Sequence, residues 1–120
     1  MKKLLLFSLI ILFVACTEQQ LSHTETAKIV VESFYQKNNS KLKEHTTLES
    51  YIAFIAIQDM MTANESGASN FVIEQETVDG DTAWVKFTTS YEEKPEIFKL
   101  IKSDRQWKVT EKGLREKGPF

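Results

Sequence analysis

The chain has 120 residues, with 15 Lys or Arg against 17 Asp or Glu, so its formal net charge is −2. This length accommodates one domain, and the near balance of charge argues against nucleic acid as a partner. A hydrophobic fraction of 42% is enough for a core, while the single Cys excludes a disulfide framework and a multi-cysteine metal site.

The first fifteen residues are typical of a secretory signal peptide. Met1-Lys2-Lys3 supplies positive charge, and residues 4–14 are apolar except for Ser8. Eleven helical residues span about 16 Å, roughly half of a bilayer core, so this segment is too short for a stable transmembrane helix. We therefore expect residues 1–15 to be removed.

A small residue, Ala15, directly precedes the only Cys of the chain, Cys16. This pair at the end of an apolar run resembles the lipobox of bacterial lipoproteins, although Phe13 stands where that family usually has Leu. The resemblance implies that Cys16 begins the mature protein, carries acyl chains and makes the lipid bilayer a partner. It implies a place in the bacterial cell envelope, and we expect the outer membrane because Thr17, after the Cys, is not the aspartate of a retention signal. An ordinary signal peptide with an incidental Cys is the alternative.

Residues 16–22 are expected to form a tether and residues 23–120 a single domain. Ser22-His23-Thr24-Glu25 has the spacing of a capping box and predicts the start of a helix. One apolar stripe follows at helical spacing, formed by Ala27, Val30, Val31, Phe34 and Tyr35. Asn38-Asn39-Ser40 are turn-forming residues and should end the helix.

A second helix is predicted from the capping-box spacing of Thr46-Thr47-Leu48-Glu49 through about Ala63. Its apolar residues cover most of its circumference, so it should be buried on more than one side. These residues are Leu48, Tyr51, Ile52, Phe54, Ile55, Ile57, Met60 and Met61. The helix either lies in the centre of the core or lines a ligand cavity or a subunit interface.

Two alternating runs around Asp79-Gly80 predict a β-hairpin. We expect a three-residue loop at residues 79–81, because a two-residue turn would exchange the faces of one strand. Either Gly80 or Asp81 should then lie near the left-handed conformation. The expected pairs are Ile73 with Phe87, Gln75 with Val85 and Thr77 with Ala83.

A second hairpin should turn at Asp104-Arg105 and pair Lys102 with Trp107 and Leu100 with Val109. That register gathers Phe98, Leu100, Trp107 and Val109 on a core face. Residues 92–96, which include Pro95, are interpreted as a charged link between the hairpins. Two helices followed by strands predict an α+β fold, with the helices on one face of an antiparallel sheet.

Three segments resemble the nuclear transport factor 2-like (NTF2-like), or cystatin-like, cone, and within it short bacterial lipoproteins of unknown function. They are residues 27–35 (AKIVVESFY), 79–87 (DGDTAWVKF) and 98–109 (FKLIKSDRQWKV). The resemblance implies N-terminal helices packed on a curved antiparallel β-sheet. The family usually has Gly in the last turn, where this chain has Arg105. None of the segments is catalytic, so the resemblance carries a fold and not an activity.

Catalytic chemistry has few candidates in this sequence. Some enzymes of this superfamily resemble ketosteroid isomerase, which needs a carboxylate base and an acid or tyrosine donor at one pocket. Asp59 is the only carboxylate inside the apolar second helix, and no spacing makes it converge with Tyr35, Tyr51 or Tyr91. We expect a solvent-facing Asp59, core tyrosines and no catalytic residue.

Metal and cofactor sites are not expected either. His23 and His45 lie 22 residues apart without a Cys or Asp motif around them, so surface histidines are expected.

Two classes of function stay open: a non-enzymatic binding or interaction module of the envelope, and a small cone-fold enzyme of the ketosteroid isomerase type. We favour the first, because apolar surface is plentiful and the polar groups that catalysis needs are not recognisable. A cavity for a small apolar ligand is expected beside Tyr51, Phe54, Phe87 and Trp107. The outer sheet face around Trp84 is expected to suit a homodimer or another protein partner.

The lipoprotein prediction is testable at Cys16. The mature protein should begin there and partition into detergent, since each buried methylene of an acyl chain contributes about 0.8 kcal/mol. Cys16→Ala should accumulate uncleaved or lack the acyl chains, which mass spectrometry of the detergent phase would show. A variant that is processed and fractionates like the parent contradicts the prediction.

Overall fold

The computed structural model describes residues 20–63, 67–114 and 116–120; the predicted signal peptide and Cys16 lie outside these residues. Helices α1 (His23–Tyr35), α2 (Asn39–Glu44) and α3 (Leu48–Met61) come first. Strands β1 (Val72–Asp79), β2 (Thr82–Thr89), β3 (Glu92–Ser103) and β4 (Gln106–Thr110) follow, and a 3-10 turn (Glu111–Leu114) comes after them. The strands form one antiparallel sheet in the order β1-β2-β3-β4. The predicted α+β architecture is confirmed.

Helix α1 begins as predicted. Ser22 Oγ accepts from the Glu25 backbone N–H at 3.1 Å, and the Ser22 N–H donates to Glu25 Oε1 at 2.9 Å, which completes the capping box. Every residue of the predicted apolar stripe is buried. The stripe packs on the inner face of the sheet, in one core with Val85, Phe87 and Leu100.

The segment predicted as a turn after α1 forms a short helix instead. Lys37 has a φ of 58°, and Asn38 then caps α2 by accepting from the Lys41 N–H at 3.4 Å. Asn is as good a helix cap as a turn residue, so its presence did not distinguish the two. Leu42, in the middle of α2, is completely buried.

Helix α3 starts one residue later than the predicted capping box implies. Thr47 is the N-cap and accepts from the Ser50 N–H at 3.3 Å, while Thr46 donates its hydroxyl to the Leu42 carbonyl at 2.8 Å. The helix ends at Met61, before Ala63.

The expectation that α3 is buried on more than one side is wrong. One side is buried, through Ser50, Phe54 and Gln58, whereas Leu48, Ile52 and Met60 are 64%, 61% and 76% exposed. In the described part of the chain one sheet and α1 pack on one side of α3, and no second layer covers the other. Gln58 Nε2 donates to the Phe34 carbonyl at 2.9 Å, which ties the buried side to α1.

The first hairpin has the predicted pairing of Ile73 with Phe87, but its turn is shorter than predicted. Asp79 pairs with Thr82, so the turn has two residues, and Gly80 takes the expected left-handed conformation with a φ of 63°. A β-bulge between Ile73 and Gln75 then restores the pairing of Ile73 with Phe87. The other two predicted pairs are wrong: Gln75 lies opposite Lys86 and Thr77 opposite Trp84.

The second hairpin has the predicted register, with Lys102 opposite Trp107 and Leu100 opposite Val109. Asp104 and Arg105 have φ values of 52° and 64°, so both central residues of this turn are left-handed, as a type I′ turn requires. Arg105 therefore adopts a conformation that Gly adopts more easily.

Strand β3 begins earlier than predicted. Residues 92–96 belong to it and are not a link. Pro95 lies at the irregularity between the Phe87–Glu96 and Thr89–Glu92 pairs, where its missing N–H interrupts no regular ladder.

Two segments cover parts of the sheet. The Val109 N–H donates to the His45 carbonyl at 3.0 Å and the Thr47 N–H to the Val109 carbonyl at 3.1 Å, so the chain before α3 pairs with the free edge of β4. On the outer face, a Cβ at Gly118 would lie 2.9 Å from a ring carbon of Trp84. The chain's own C-terminal segment therefore covers part of the surface on which a homodimer was expected.

The core assignment is testable by comparing a buried with an exposed apolar side chain. Phe87→Ala should lower the free energy of unfolding by about 3–5 kcal/mol, because Phe87 is completely buried. Ile52→Ala should change it by less than about 0.5 kcal/mol, because Ile52 is exposed. Urea titrations followed by circular dichroism measure both. Losses of similar size would contradict the described packing of α3.

Candidate functional site

An apolar cavity of about 140 Å³ lies between α1, α3 and β3; we name it the α1–α3–β3 cavity. Two of its lining side chains, Met61 and Leu114, are 36% and 67% exposed, so the cavity opens to solvent on their side. The lining residues that matter below are Phe34 and Tyr35 from α1, Phe54 and Ile57 from α3, and Glu96 and Phe98 from β3.

The periodicity of each element places these side chains. Phe54 and Ile57 are three residues apart, so they lie on one side of α3. Glu96, Phe98 and Leu100 alternate along β3 and therefore share its inner face. Glu96, a charged residue, therefore points to the interior together with the apolar residues of β3.

Aromatic rings form much of the cavity wall. The Phe34 and Phe54 ring centroids are 5.8 Å apart at an interplanar angle of 69°, and Phe54 lies 6.4 Å from Phe98. Tyr35 meets Phe34 edge to face, with 5.1 Å between their centroids. Such edge-to-face contacts are favourable for aromatic pairs. The wall is thus built of rings that hold one another in place.

Glu96 is the charged group of the cavity lining. Its Oε2 atom is buried and has no hydrogen-bond partner among the described residues. Burial, and to a smaller extent the neighbouring charge of Glu92, raises the pKa of Glu96 from 4.5 to about 7. Near neutral pH the side chain is therefore divided between a carboxylic acid, which can donate a hydrogen bond, and a carboxylate, which can pair with a positive charge.

Two stacked tyrosines, each with its hydroxyl hydrogen-bonded to another residue, lie at one side of the cavity. Tyr35 donates its hydroxyl to Glu92 Oε2 at 2.8 Å, and its ring stacks on Tyr91 with centroids 4.4 Å apart. Tyr91 donates its hydroxyl to the Gly67 carbonyl at 2.9 Å. These contacts fix the Tyr35 ring at the cavity wall and hold Glu92 close to it.

The four residues predicted to surround a ligand do not line a common cavity. Phe54 lines the α1–α3–β3 cavity, and Phe87 lies behind it, completely buried and 4.9 Å from the Phe98 ring. Tyr51 is half-buried beneath Lys43, whose Nζ is 5.8 Å from its ring centroid. Trp107 lines a different cavity.

That second cavity is larger, about 310 Å³, and lies where the described chain begins. Its walls include Gln20 and Gln106, both exposed, together with His45 and Trp107. Burial lowers the pKa of His45, which favours the neutral ring. The walls of this second cavity are mainly polar, whereas small-molecule sites are mainly apolar, so we place the candidate site at the smaller apolar cavity.

Asp59 lies outside the candidate site. Its side chain is 93% exposed and its Oδ1 atom lies 3.0 Å from Lys37 Nζ, as expected for a solvent-facing residue. The two histidines, expected at the surface, are instead half-buried. Among the residues that the structure describes, no group of three or more His, Cys, Asp or Glu could hold a metal ion.

Glu96 was missed by the sequence interpretation, which placed it in a charged link. The signal was present in the alternation of Leu100 and Phe98: two more residues in the same register lead to Glu96. The charges at residues 92–94 and Pro95 concealed it, because such residues are typical of loops.

Comparison with known proteins supports the fold. No family model and no curated protein matches the chain. A crystal structure of a Campylobacter jejuni protein, provisionally named an NTF2-like transpeptidase, is similar with a TM-score of 0.54 and 17% sequence identity, over 70% of this chain and 93% of that chain. The chain has the NTF2-like fold. At this identity the likeness extends to the fold alone, so function is argued below from the residues of this chain.

The position of Glu96 predicts a pH-dependent stability. A carboxyl group whose pKa is higher in the folded than in the unfolded state favours folding at pH values below the unfolded-state pKa, where it is protonated. For Glu96 this contribution is lost as the pH rises from about 4.5 to about 7. At pH 8 the free energy of unfolding of Glu96→Gln should therefore exceed that of the parent by on the order of 2–3 kcal/mol, whereas at pH 4 the two proteins should be about equally stable. Urea titrations at both pH values measure this, with the exposed Glu93→Gln as the control. An equal difference at both pH values contradicts the buried position of Glu96.

Proposed function

We propose that the chain is a non-enzymatic binding module, anchored to a membrane of the bacterial envelope, whose α1–α3–β3 cavity holds a small and mainly apolar ligand. The observation that carries this proposal is the cavity itself: about 140 Å³, walled by aromatic and aliphatic side chains with one carboxyl group. Binding sites for small molecules are typically apolar clefts with few polar groups. An apolar cavity of about 150 Å³ is large enough for benzene, so the ligand or its bound part has about six non-hydrogen atoms.

The anchor is the acylated Cys16 of the lipoprotein hypothesis. Cys16 precedes the N-cap of α1 by six residues, which span at most about 20 Å when extended. Such a tether would hold the cavity close to the outer membrane. Within the described ranges of the chain, no helix is long and apolar enough to cross a membrane.

The binding function is favoured over catalysis because the polar groups near the cavity are engaged with one another. The Tyr35 hydroxyl donates to Glu92, and the Tyr91 hydroxyl donates to the Gly67 carbonyl. In the part of the chain that the structure describes, Glu96 is thus a carboxyl group without a second group of defined catalytic geometry beside it.

An enzyme of the ketosteroid isomerase type is the alternative, and one observation favours it. Glu96 has a pKa of about 7 in an apolar cavity, which is the property of a general base. Deuterium exchange of the α-protons of cyclopentanone in D₂O, followed by NMR, tests for such a base. Exchange that is lost in Glu96→Gln and kept in the exposed Glu93→Gln would replace the binding function with a catalytic one.

The binding function predicts that a small molecule stays with the protein when it is purified from its source. Native mass spectrometry after removal of the acyl chains should show it bound. Ile57→Trp should abolish the adduct, because the larger ring fills the cavity that Ile57 lines. Ile52→Trp is the matched control, since Ile52 lies on the same helix but is 61% exposed.

The opposite outcomes are equally informative. An adduct that survives Ile57→Trp would place the ligand elsewhere. A protein retained in place of a small molecule would indicate an interface instead of a cavity.

A further inference from the structure

The wall of the α1–α3–β3 cavity is built largely of aromatic side chains. Four of its lining residues are aromatic: Phe34, Tyr35, Phe54 and Phe98. The face of an aromatic ring carries negative charge density and attracts cations, and the attraction is stronger where water is excluded.

The described lining of the cavity carries negative charge and no positive charge. Glu96 is its charged residue, and no Lys or Arg lies among the lining residues that the structure describes. The buried Oε2 atom of Glu96 has no hydrogen-bond partner there. A buried polar atom without a partner is rare in folded proteins, and a ligand is one of the groups that can satisfy it.

A second carboxyl group adds to this negative character. Glu92 lies four residues before Glu96 on β3, is held by the Tyr35 hydroxyl at 2.8 Å, and is close enough to raise the pKa of Glu96. The ion pairs that lysines make in the described chain involve other carboxylates: Lys37 pairs with Asp59, Lys86 with Glu74 and Lys99 with Glu116. Among the residues that the structure describes, none forms an ion pair with either of these two neighbouring carboxyl groups.

We propose that the α1–α3–β3 cavity binds a small organic cation, an ammonium group that carries short alkyl substituents, between its aromatic rings and Glu96. This inference rests on the proposed binding function and names the ligand class of the same site. The alkyl groups contact Phe34, Phe54 and the aliphatic wall, and the positive charge lies against the Glu96 carboxylate. Tetramethylammonium, with five non-hydrogen atoms, has the size that the cavity accepts.

The ionisation of Glu96 links this binding to pH. Because the pKa of the empty site is about 7, a cation meets mostly a carboxylate at pH 8 and mostly a neutral acid at pH 5.5. Among the described residues, the titratable groups near Glu96 are Tyr35 from α1 and Glu92 from β3. Its neighbours from α3, β2 and the 3-10 turn are apolar: Phe54, Ile57, Met61, Phe87 and Leu114. Affinity for a cation should therefore rise with pH across this range.

The test compares tetramethylammonium with tert-butanol, a neutral molecule of the same number of non-hydrogen atoms. The full chain is purified in a maltoside detergent, which brings no cationic headgroup, and both probes are titrated by calorimetry at pH 8 and pH 5.5. Tetramethylammonium should bind at least tenfold more tightly than tert-butanol at pH 8 and lose about tenfold at pH 5.5. Glu96→Gln should cause a similar loss at pH 8, whereas the exposed Glu93→Gln should stay within twofold of the parent.

Each outcome separates this inference from the function on which it rests. If tert-butanol binds as tightly as tetramethylammonium, or if Glu96→Gln leaves the cation affinity unchanged, the cation inference is overturned and an apolar binding site stands. If neither probe binds at either pH, the cation inference is overturned as well, and the retained molecule in native mass spectrometry decides the binding function alone.

Discussion

The interior of this domain depends on the pleat of β3. Successive side chains of a strand point to opposite faces, so the register that buries Leu100 and turns Phe98 inward also turns Glu96 inward. Strand β3 pairs with both β2 and β4, and a slip of one residue would turn its whole apolar set outward. The burial of one carboxyl group is therefore a consequence of burying the rest of the strand, and the α1–α3–β3 cavity forms beside that carboxyl.

Sequence predicted the fold best where short-range chemistry decides the structure. The Ser22–Glu25 capping box and the Asp104-Arg105 turn involve residues at most three positions apart, and both are found as expected. The first hairpin marks the limit of such reasoning. A longer turn and a two-residue turn with a bulge both place Ile73 opposite Phe87, so the pattern of faces alone could not choose between them.

Helix α3 and the cavity were less predictable because they depend on the number of packed layers. An apolar circumference indicates burial on several sides only if something lies on those sides, and in the described chain α3 packs on one side. The cavity is a gap between three elements, and hydropathy does not report gaps. Of the residues predicted to surround a ligand, Phe54 lies on the packed side of α3 and lines the cavity. Tyr51 and Trp107 pack at other places.

Glu96 links the stability of the fold to the occupancy of the cavity. Ionisation of a buried carboxyl group destabilises the folded state, and no hydrogen bond or ion pair from the described residues offsets this at Oε2. A ligand that binds the folded chain and not the unfolded one stabilises it by RT ln(1 + [L]/Kd), and a cation does so most where Glu96 is ionised. As the pH rises from about 4.5 to about 7, the empty protein thus loses stability, and a bound cation would restore it over the same range. A residue that is unfavourable for folding alone becomes favourable in the occupied protein, which gives the carboxyl group at this position a physical role.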